Sequence, residues 1–290
     1  MGSDEVGIIY KYNHEPALRE AQNLAGWFEK KGISVYLEEM MPKEPSDLLE
    51  HSSAVPPTVR WVVVMGGDGT LLGAARRVGR YGAPMLGVNL GGLGFLTNIP
   101  LERLYPMVES MVAGKLDVES RMTLKATVVR DGREVCSSHV LNDIVINKNA
   151  LARIIDLQVK VDGEPLTVFR ADGLIVSTPT GSTAYNLAAG GPVVHPSMDT
   201  FIFTPICAFT LNNRPIIIPK TATVCITMAK ESEETVMLTF DGQVGFDLQF
   251  GDQVVISNSG YRIKLFRAPG RSYFDILRTK LMWGGGQPGR

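Results

Sequence analysis

Cysteine, histidine and net charge are all scarce in this chain of 290 residues. Its three cysteines, Cys136, Cys207 and Cys225, are odd in number and lack C-x-x-C spacing. That speaks against a disulfide framework or a zinc module and fits a reducing compartment. The four histidines, His14, His51, His139 and His195, are too scattered for a histidine metal cluster. Lys and Arg number 29 against 30 Asp and Glu, a net charge of -1, whereas a nucleic-acid binder needs a basic face to displace counterions from phosphates. No apolar run reaches the length of a membrane span. Met1-Gly2-Ser3-Asp4-Glu5 carries neither the basic nor the apolar region of a signal peptide. The expectation is a cytoplasmic protein with neither nucleic acid nor membrane as partner. What remains is an ordinary globular composition, 44% hydrophobic, on a chain long enough for two modest domains.

The first third alternates strand-like and helix-like segments. Residues 6–10 form a short apolar run, and residues 15–31 carry Leu18, Ala21, Leu24, Ala25 and Phe28 at helical spacing. Residues 33–37 read as a second strand and the wholly apolar 61–65 as a buried parallel one. Between them, 39–58 holds Pro42, Pro45, Pro56 and Pro57 and reads as a loop or broken helix. A helix over about 70–78, an apolar strand at 84–88 and a helix begun after Pro100 complete the alternation. Met107 and Met111 of that last helix are assigned to core.

From about residue 116 the texture changes. Asp131-Gly132, Asp162-Gly163 and Asp241-Gly242 are turn dipeptides between alternating runs such as Leu157-Gln158-Val159-Lys160-Val161. Residues 272–282 return to helical spacing through Phe274, Ile276, Leu277 and Leu281, a stripe that needs another element to cover it. The fold class expected is an α/β N-terminal domain with a parallel sheet, over 1–115, plus a mainly antiparallel all-β C-terminal domain, over 116–268. A C-terminal helix within 269–290 packs back on the first domain, ahead of a disordered tail.

Val62-Val63-Val64-Met65 runs into Gly66-Gly67-Asp68-Gly69-Thr70. This places an acid at the carboxyl end of a parallel strand, where open α/β sheets bind ligands. Gly67 and Gly69 let backbone N–H groups approach phosphate oxygens, and the next helix adds its positive end. The turn lacks the lysine of a Walker A loop and the spacing of G-x-G-x-x-G. Taken alone, Gly-Asp-Gly is more often a turn with the acid as helix cap. A second cluster, Asn89-Leu90-Gly91-Gly92-Leu93-Gly94-Phe95-Leu96, follows the next strand and should line the same sheet edge. Phe95 among those glycines is suited to lie against an adenine ring.

The Gly-Gly-Asp-Gly-Thr turn resembles the signature of a kinase superfamily. Its members include NAD kinases, diacylglycerol and sphingosine kinases and, with Ser for Thr, phosphofructokinases. The stretch Ala171-Asp172-Gly173-Leu174-Ile175-Val176-Ser177-Thr178-Pro179-Thr180-Gly181-Ser182-Thr183-Ala184-Tyr185 resembles the second hallmark of NAD kinases almost letter for letter. Leu141-Asn142-Asp143 matches their Asn-Glu/Asp pair, and Gly190-Gly191-Pro192 the glycine step that follows. The likeness runs from about residue 60 to residue 283, and the residues before it carry no diagnostic motif.

The resemblance implies transfer of a terminal phosphoryl group from ATP, or polyphosphate in some members, to the adenosine-ribose 2′-hydroxyl of NAD. It implies Mg2+ or another divalent metal, and a homodimer or homotetramer. Asp68 is then the proton acceptor with Gly69 beside it. Asn142 and Asp143 fall on the NAD nucleotide, and Asp172 near the nicotinamide-side ribose. Thr183, Ala184, Tyr185 and the positions to Ala188 shape the pocket, and Arg153, Arg170 and Gln243 occupy matching contact positions. The chain departs from many members at Ala188, where they carry serine, and at Ala208-Phe209, where they carry Pro-His.

An ordinary aspartate is a weak base toward a ribose hydroxyl. Proton acceptance therefore belongs late in the transfer, and alignment with charge neutralisation supplies most of the rate. Asn142 and Asp143 suit a ribose or adenine edge, though Asn-Asp is also a common Asx turn. Ser182 or Thr183 is expected to cap a short helix through Ala189. The competing readings are a lipid kinase sharing the glycine turn and a non-catalytic dinucleotide-binding protein that keeps the pocket.

Overall fold

The computed structural model describes residues 4–41, 53–148, 154–210, 212–230 and 235–283. Arg153, the expected tail after 283 and most of the proline-containing loop lie outside them. The chain divides into two compact units: Met1–Met41, Ser53–Glu119 and Lys264–Arg290 in the first, and Pro42–Ser52 with Ser120–Ile263 in the second.

In the first unit, strand β1 (Glu5–Lys11), helix α1 (Glu15–Glu29) and strand β2 (Ser34–Met40) are followed by β3 (Trp61–Gly66), α2 (Asp68–Val78) and β4 (Met85–Asn89). The short β5 (Ile99–Pro100) and α3 (Leu104–Val112) complete the series. The strands run parallel in the order β2-β1-β3-β4, with β5 paired to β4. All six residues of β3 are buried, as expected for a parallel strand covered on both faces. The core gathers Ile8, Leu24, Phe28, Val63, Met65, Leu86, Met107 and Met111.

Two details of the first unit differ from the sequence reading. The buried stripe of α1 starts at Ala17, and Leu18 is left exposed; the helix begins at Glu15 with Pro16 in its first turn and the His14 ring as its cap. Helix α2 begins at Asp68 rather than Thr70. A buried ion pair, Arg77 to Glu38 at 2.7 Å, ties α2 to β2, and Glu38 also accepts from the Ala54 N–H at 3.0 Å.

The second unit is built from strands β6 (Val118–Arg130), β7 (Arg133–Val140), β8 (Asp143–Lys148), β9 (Ile155–Val161), β10 (Glu164–Ala171) and β11 (Gly173–Ser177). Helix α4 (Tyr185–Ala188) precedes β12 (Thr200–Ile206), β13 (Ile216–Pro219), β14 (Val224–Met228), β15 (Val236–Phe240), β16 (Val244–Leu248) and most of β17 (Gln253–Phe266). One antiparallel sheet has the order β13-β12-β11-β8-β15-β16. A second antiparallel run is β10-β9-β14-β17, with β6 pairing both β17 and β7.

Alternation decides which faces are covered. Leu157 and Val159 of β9 are buried while Lys160 is exposed, and Val236, Leu238 and Phe240 of β15 enter the same core. The three Asp-Gly turns at 131–132, 162–163 and 241–242 carry positive φ at both residues, 49° and 74° at Asp131-Gly132, for example. At Asp131-Gly132 and Asp162-Gly163 that backbone is the one two-residue hairpins require, whereas Asp241-Gly242 opens a three-residue loop between Phe240 and Val244. The strands β6 and β17, of 13 and 14 residues, are longer than their sequence texture implies.

Helix α5 (Tyr273–Leu281) belongs to the first unit. Ser272 caps it, accepting from the Asp275 N–H at 3.2 Å, while the Asp275 carboxylate accepts from the Ser272 N–H at 2.9 Å, a reciprocal capping box. Ile276 and Leu277 are buried; Phe274 is exposed and turns to the Tyr273 ring. The fold class read from the sequence is thus the one found, with α5 sharing the compact unit of the parallel sheet.

Candidate functional site

In the first unit, the register that sets Gly66 beside Asn89 makes the loops after β3 and β4 leave the sheet side by side. The cap of α2 is Gly67, which has no side chain to donate or accept. Asp68, the first helical residue, directs its carboxylate to the neighbouring loop instead. Oδ2 accepts the Phe95 N–H at 2.8 Å. Oδ1 accepts the Leu96 N–H at 3.0 Å, the Thr97 N–H at 2.8 Å and the Thr97 hydroxyl at 2.9 Å. The helix-cap reading of this acid is therefore corrected: its carboxylate is held by another segment. A Cβ at Gly94 would collide with Asp68 Oδ1, so this close approach requires glycine. Gly69 is exposed beside Asp68, and the half-buried Phe95 ring has the Lys280 ammonium 5.9 Å from its centroid.

In the second unit, Asn142 and Asp143 sit at the start of β8 and are held from the backbone. The Asp241 carboxylate accepts the Asn142 N–H at 2.7 Å and the Leu141 and Asp143 N–H groups at 3.3 Å. The Asn142 carbonyl accepts the Thr178 N–H at 2.8 Å, and the Thr178 hydroxyl donates to the Leu141 carbonyl at 2.6 Å. The two hallmark stretches thus form one hydrogen-bonded ledge rather than an isolated Asx turn. Asp143 is only 4% exposed. Burial first, and then the charge of Asp241, push its carboxyl up to about 7.

The segment after the ledge departs from the expected cap. Residues Gly181–Thr183 form a 3-10 turn ending at Ala184, and α4 carries no side-chain cap. Ser182 is buried, bonding the Pro179 carbonyl at 2.7 Å and accepting the Val194 N–H at 3.0 Å. Tyr185 is 43% exposed, and Ala188 is exposed at the end of α4. Between them Asn186 is fully buried: its amide donates to the Ser182 and Pro192 carbonyls at 3.0 Å and accepts the Thr204 hydroxyl at 2.6 Å.

Asp172 lies 3.3 Å from the Lys148 ammonium. The Arg170 guanidinium stands over the Phe209 ring, 4.9 Å from its centroid, and 3.8 Å from Asp156. The Phe209 N–H donates to the Arg170 carbonyl at 2.8 Å, so the aromatic that replaces Pro-His is built onto a candidate contact residue. Gln243 is exposed just after the Asp241-Gly242 turn.

Gly67, Asp68, Gly69 and Phe95 accordingly belong to the first unit. Asn142, Asp143, Arg170, Asp172, Thr183, Ala184, Tyr185, Ala188 and Gln243 belong to the second. Four residues that organise these groups were given no such role in the sequence reading: Asn89, which only opens the second glycine cluster, Thr97, Asn186 and Asp241. Asp241 was visible only as a turn residue, and nothing in the spacing of the other three signals their partners.

The family model described as the ATP-NAD kinase N-terminal domain matches residues 6–116, and that of the ATP-NAD kinase C-terminal domain matches residues 141–268. The match therefore includes residues 6–60, which carry no diagnostic motif. An NAD kinase of Geobacter sulfurreducens is 46% identical over 285 residues, covering 95% of this chain and 98% of that protein. One of Syntrophotalea carbinolica is 46% identical over 281 residues, with 96% and 98% covered. Among solved structures, a yeast NADH kinase complexed with NADH superposes with a TM-score of 0.84 at 23% identity, covering 99% of this chain and 90% of that one. An NAD kinase from Archaeoglobus fulgidus in complex with ATP gives 0.73 at 24% identity, covering 96% and 98%; both establish likeness of fold.

Proposed function

The chain belongs to the ATP-NAD kinase family and is an enzyme that phosphorylates NAD to NADP with ATP; from that premise we propose that Asp68 is the proton acceptor for the adenosine-ribose 2′-hydroxyl. The observation that carries this reading is the carboxylate of Asp68, fixed at the carboxyl end of β3 by three successive N–H groups of the loop after β4. A carboxylate so held is oriented before the nucleotide arrives. Orientation is what phosphoryl transfer chiefly asks of a protein.

Asn142 and Asp143, joined to Thr178 in the ledge, are assigned to a ribose or adenine edge, where an amide and a carboxyl can sort donors from acceptors. Asp172, Thr183, Ala184, Tyr185, Ala188 and Gln243 are assigned to the dinucleotide, as is Arg153 on the resemblance alone. Arg170 joins them through the surface it makes with Phe209. Phe95, with Gly67 and Gly69, is assigned to the ATP side.

A divalent ion such as Mg2+, when bound, would supply charge neutralisation on the transferred phosphates. Among the described residues no group of three or more His, Cys, Asp or Glu side chains is placed to hold a metal. Such an ion would be held mostly by nucleotide phosphates and water, with one or two carboxylates. We assign the enzyme to the cytoplasm as a homodimer or homotetramer. No described helix is long and apolar enough to cross a membrane.

A panel of donors and acceptors tests the assignment. With magnesium present, ATP and polyphosphate are offered against NAD, NADH and diacylglycerol. NADP from NAD is the expected product. Phosphorylation of diacylglycerol without NADP would overturn it.

A further inference from the structure

Asp68 is surrounded unevenly, and the unevenness distinguishes its two oxygens. A carboxylate has about four lone-pair sites, two on each oxygen. Oδ1 receives three donors: the Leu96 and Thr97 N–H groups and the Thr97 hydroxyl. Oδ2 receives the Phe95 N–H alone. Among the described residues, one lone pair of Oδ2 is left for an incoming hydroxyl.

The direction of the Thr97 hydroxyl is set by its other neighbour. The Asn89 side-chain oxygen accepts the Gly91 N–H at 2.6 Å, which turns the Asn89 amide nitrogen toward Thr97. That nitrogen donates to Thr97 Oγ1 at 3.0 Å and to the Thr97 carbonyl at 3.3 Å. An amide N–H only donates, so Thr97 Oγ1 accepts from Asn89 and its single proton is committed to Asp68. Asn89 and Thr97 are both buried, Thr97 completely. A chain of donors therefore runs from Gly91 through Asn89 and Thr97 to Oδ1, every hydrogen accounted for.

We propose that Thr97 is a positioning residue for the phosphoryl transfer, its hydroxyl adding a third, directional donor to Oδ1 so that Oδ2 of Asp68 is the oxygen presented to the nucleotide. The proposal rests on the reading of Asp68 as proton acceptor. The proton leaves the ribose hydroxyl for Oδ2 as the new oxygen–phosphorus bond forms and the bond to the donor's leaving oxygen breaks. Without the Thr97 hydroxyl, Oδ1 loses a directional contact and the carboxylate gains a rotational freedom that competes with the productive pose. Misplacing a group near the reacting atoms costs up to ~10²-fold in rate.

The test compares Thr97→Val, Thr97→Ser and Asp68→Asn in the full-length enzyme by kcat, NAD affinity and thermal midpoint. Valine keeps the volume and removes the hydroxyl; serine keeps the hydroxyl. The expected result is a loss of kcat of about tenfold or more, within the ~10²-fold bound, in Thr97→Val. NAD affinity should stay within about twofold, and Thr97→Ser should keep most of the wild-type kcat. Wild-type kcat in Thr97→Val, or an equal loss in Thr97→Ser, overturns the positioning role. So does a loss confined to NAD affinity or to thermal stability. Asp68→Asn separates the two claims. Its inactivation alongside a fully active Thr97→Val removes only the role of Thr97, whereas an active Asp68→Asn removes the proton-acceptor reading itself.

Discussion

The carboxylate of Asp68 sits among four donors, whereas the carboxyl of Asp143 is buried beside another acid. The second environment has a consequence for stability. A carboxyl raised from 3.8 to about 7 holds its proton more tightly in the folded chain than in the unfolded one. Its favourable contribution is present below the ordinary carboxylate range and is lost as pH rises toward the folded value, after which it is level. Asp143→Asn, which mimics the protonated group, should gain stability relative to wild type between roughly pH 4 and about pH 7, with no further gain above. Thermal melts of both proteins across that range check this, and a difference independent of pH would count against it. At this scale the sequence was readable where glycine spacing or a rare string marks a position, as at Asp68, Asn142 and Tyr185. Asp241 and Thr97 were hidden for a physical reason. Asp241 meets a backbone N–H 99 residues away, and Asp-Gly in a hairpin turn looks the same whether or not its carboxylate holds a distant backbone.

Elements explain why the loops have their shapes. The 3-10 turn after Pro179 and the four-residue α4 are too short to hold themselves together, since helix formation needs more turns to repay nucleation. The buried Asn186 side chain supplies the missing connections to Ser182, Pro192 and Thr204. A Cβ at Gly191 would strike that amide, which gives the glycine step of the hallmark a structural cause. Asn186→Ala leaves the Thr204 hydroxyl and two carbonyls without this partner, at a cost of ~1–3 kcal/mol for an unsatisfied buried group. Because α4 carries Tyr185, the KM for NAD should rise as well. A melt and a KM measurement check both, and unchanged values of each would contradict the account. Hydrophobic spacing located α1, α2 and the strands but erred at their edges. Leu18 lay one position off the buried face, whose stripe runs through Ala17, Ala21, Leu24, Ala25 and Phe28. The cap expected at Ser182 or Thr183 failed because the Ser182 hydroxyl is drawn to Pro179 and Val194.

For the whole molecule, the change from helical to alternating periodicity revealed two kinds of architecture, and the parallel sheet explains why its chemistry lies in loops. Parallel strands present their carboxyl ends together, so Gly66 and Asn89, adjacent in register, deliver the two glycine clusters to one edge. The antiparallel unit instead gathers its hallmark residues through strand neighbours, with Ser177 opposite Asp143. Composition argued against a dedicated nucleic-acid binder but gave no acceptor, and the glycine turn alone named only a superfamily of kinases. The stretch from Pro179 to Tyr185 narrowed the acceptor to NAD, and the likeness to NAD kinases along nearly the full chain established it. The catalytic assignment rests on Asp68. The most direct measurement is NADP formation by Asp68→Asn set beside its calorimetric binding of NAD. The account predicts a loss of turnover of ~10²–10⁴-fold with NAD binding retained; wild-type turnover in that variant would contradict it.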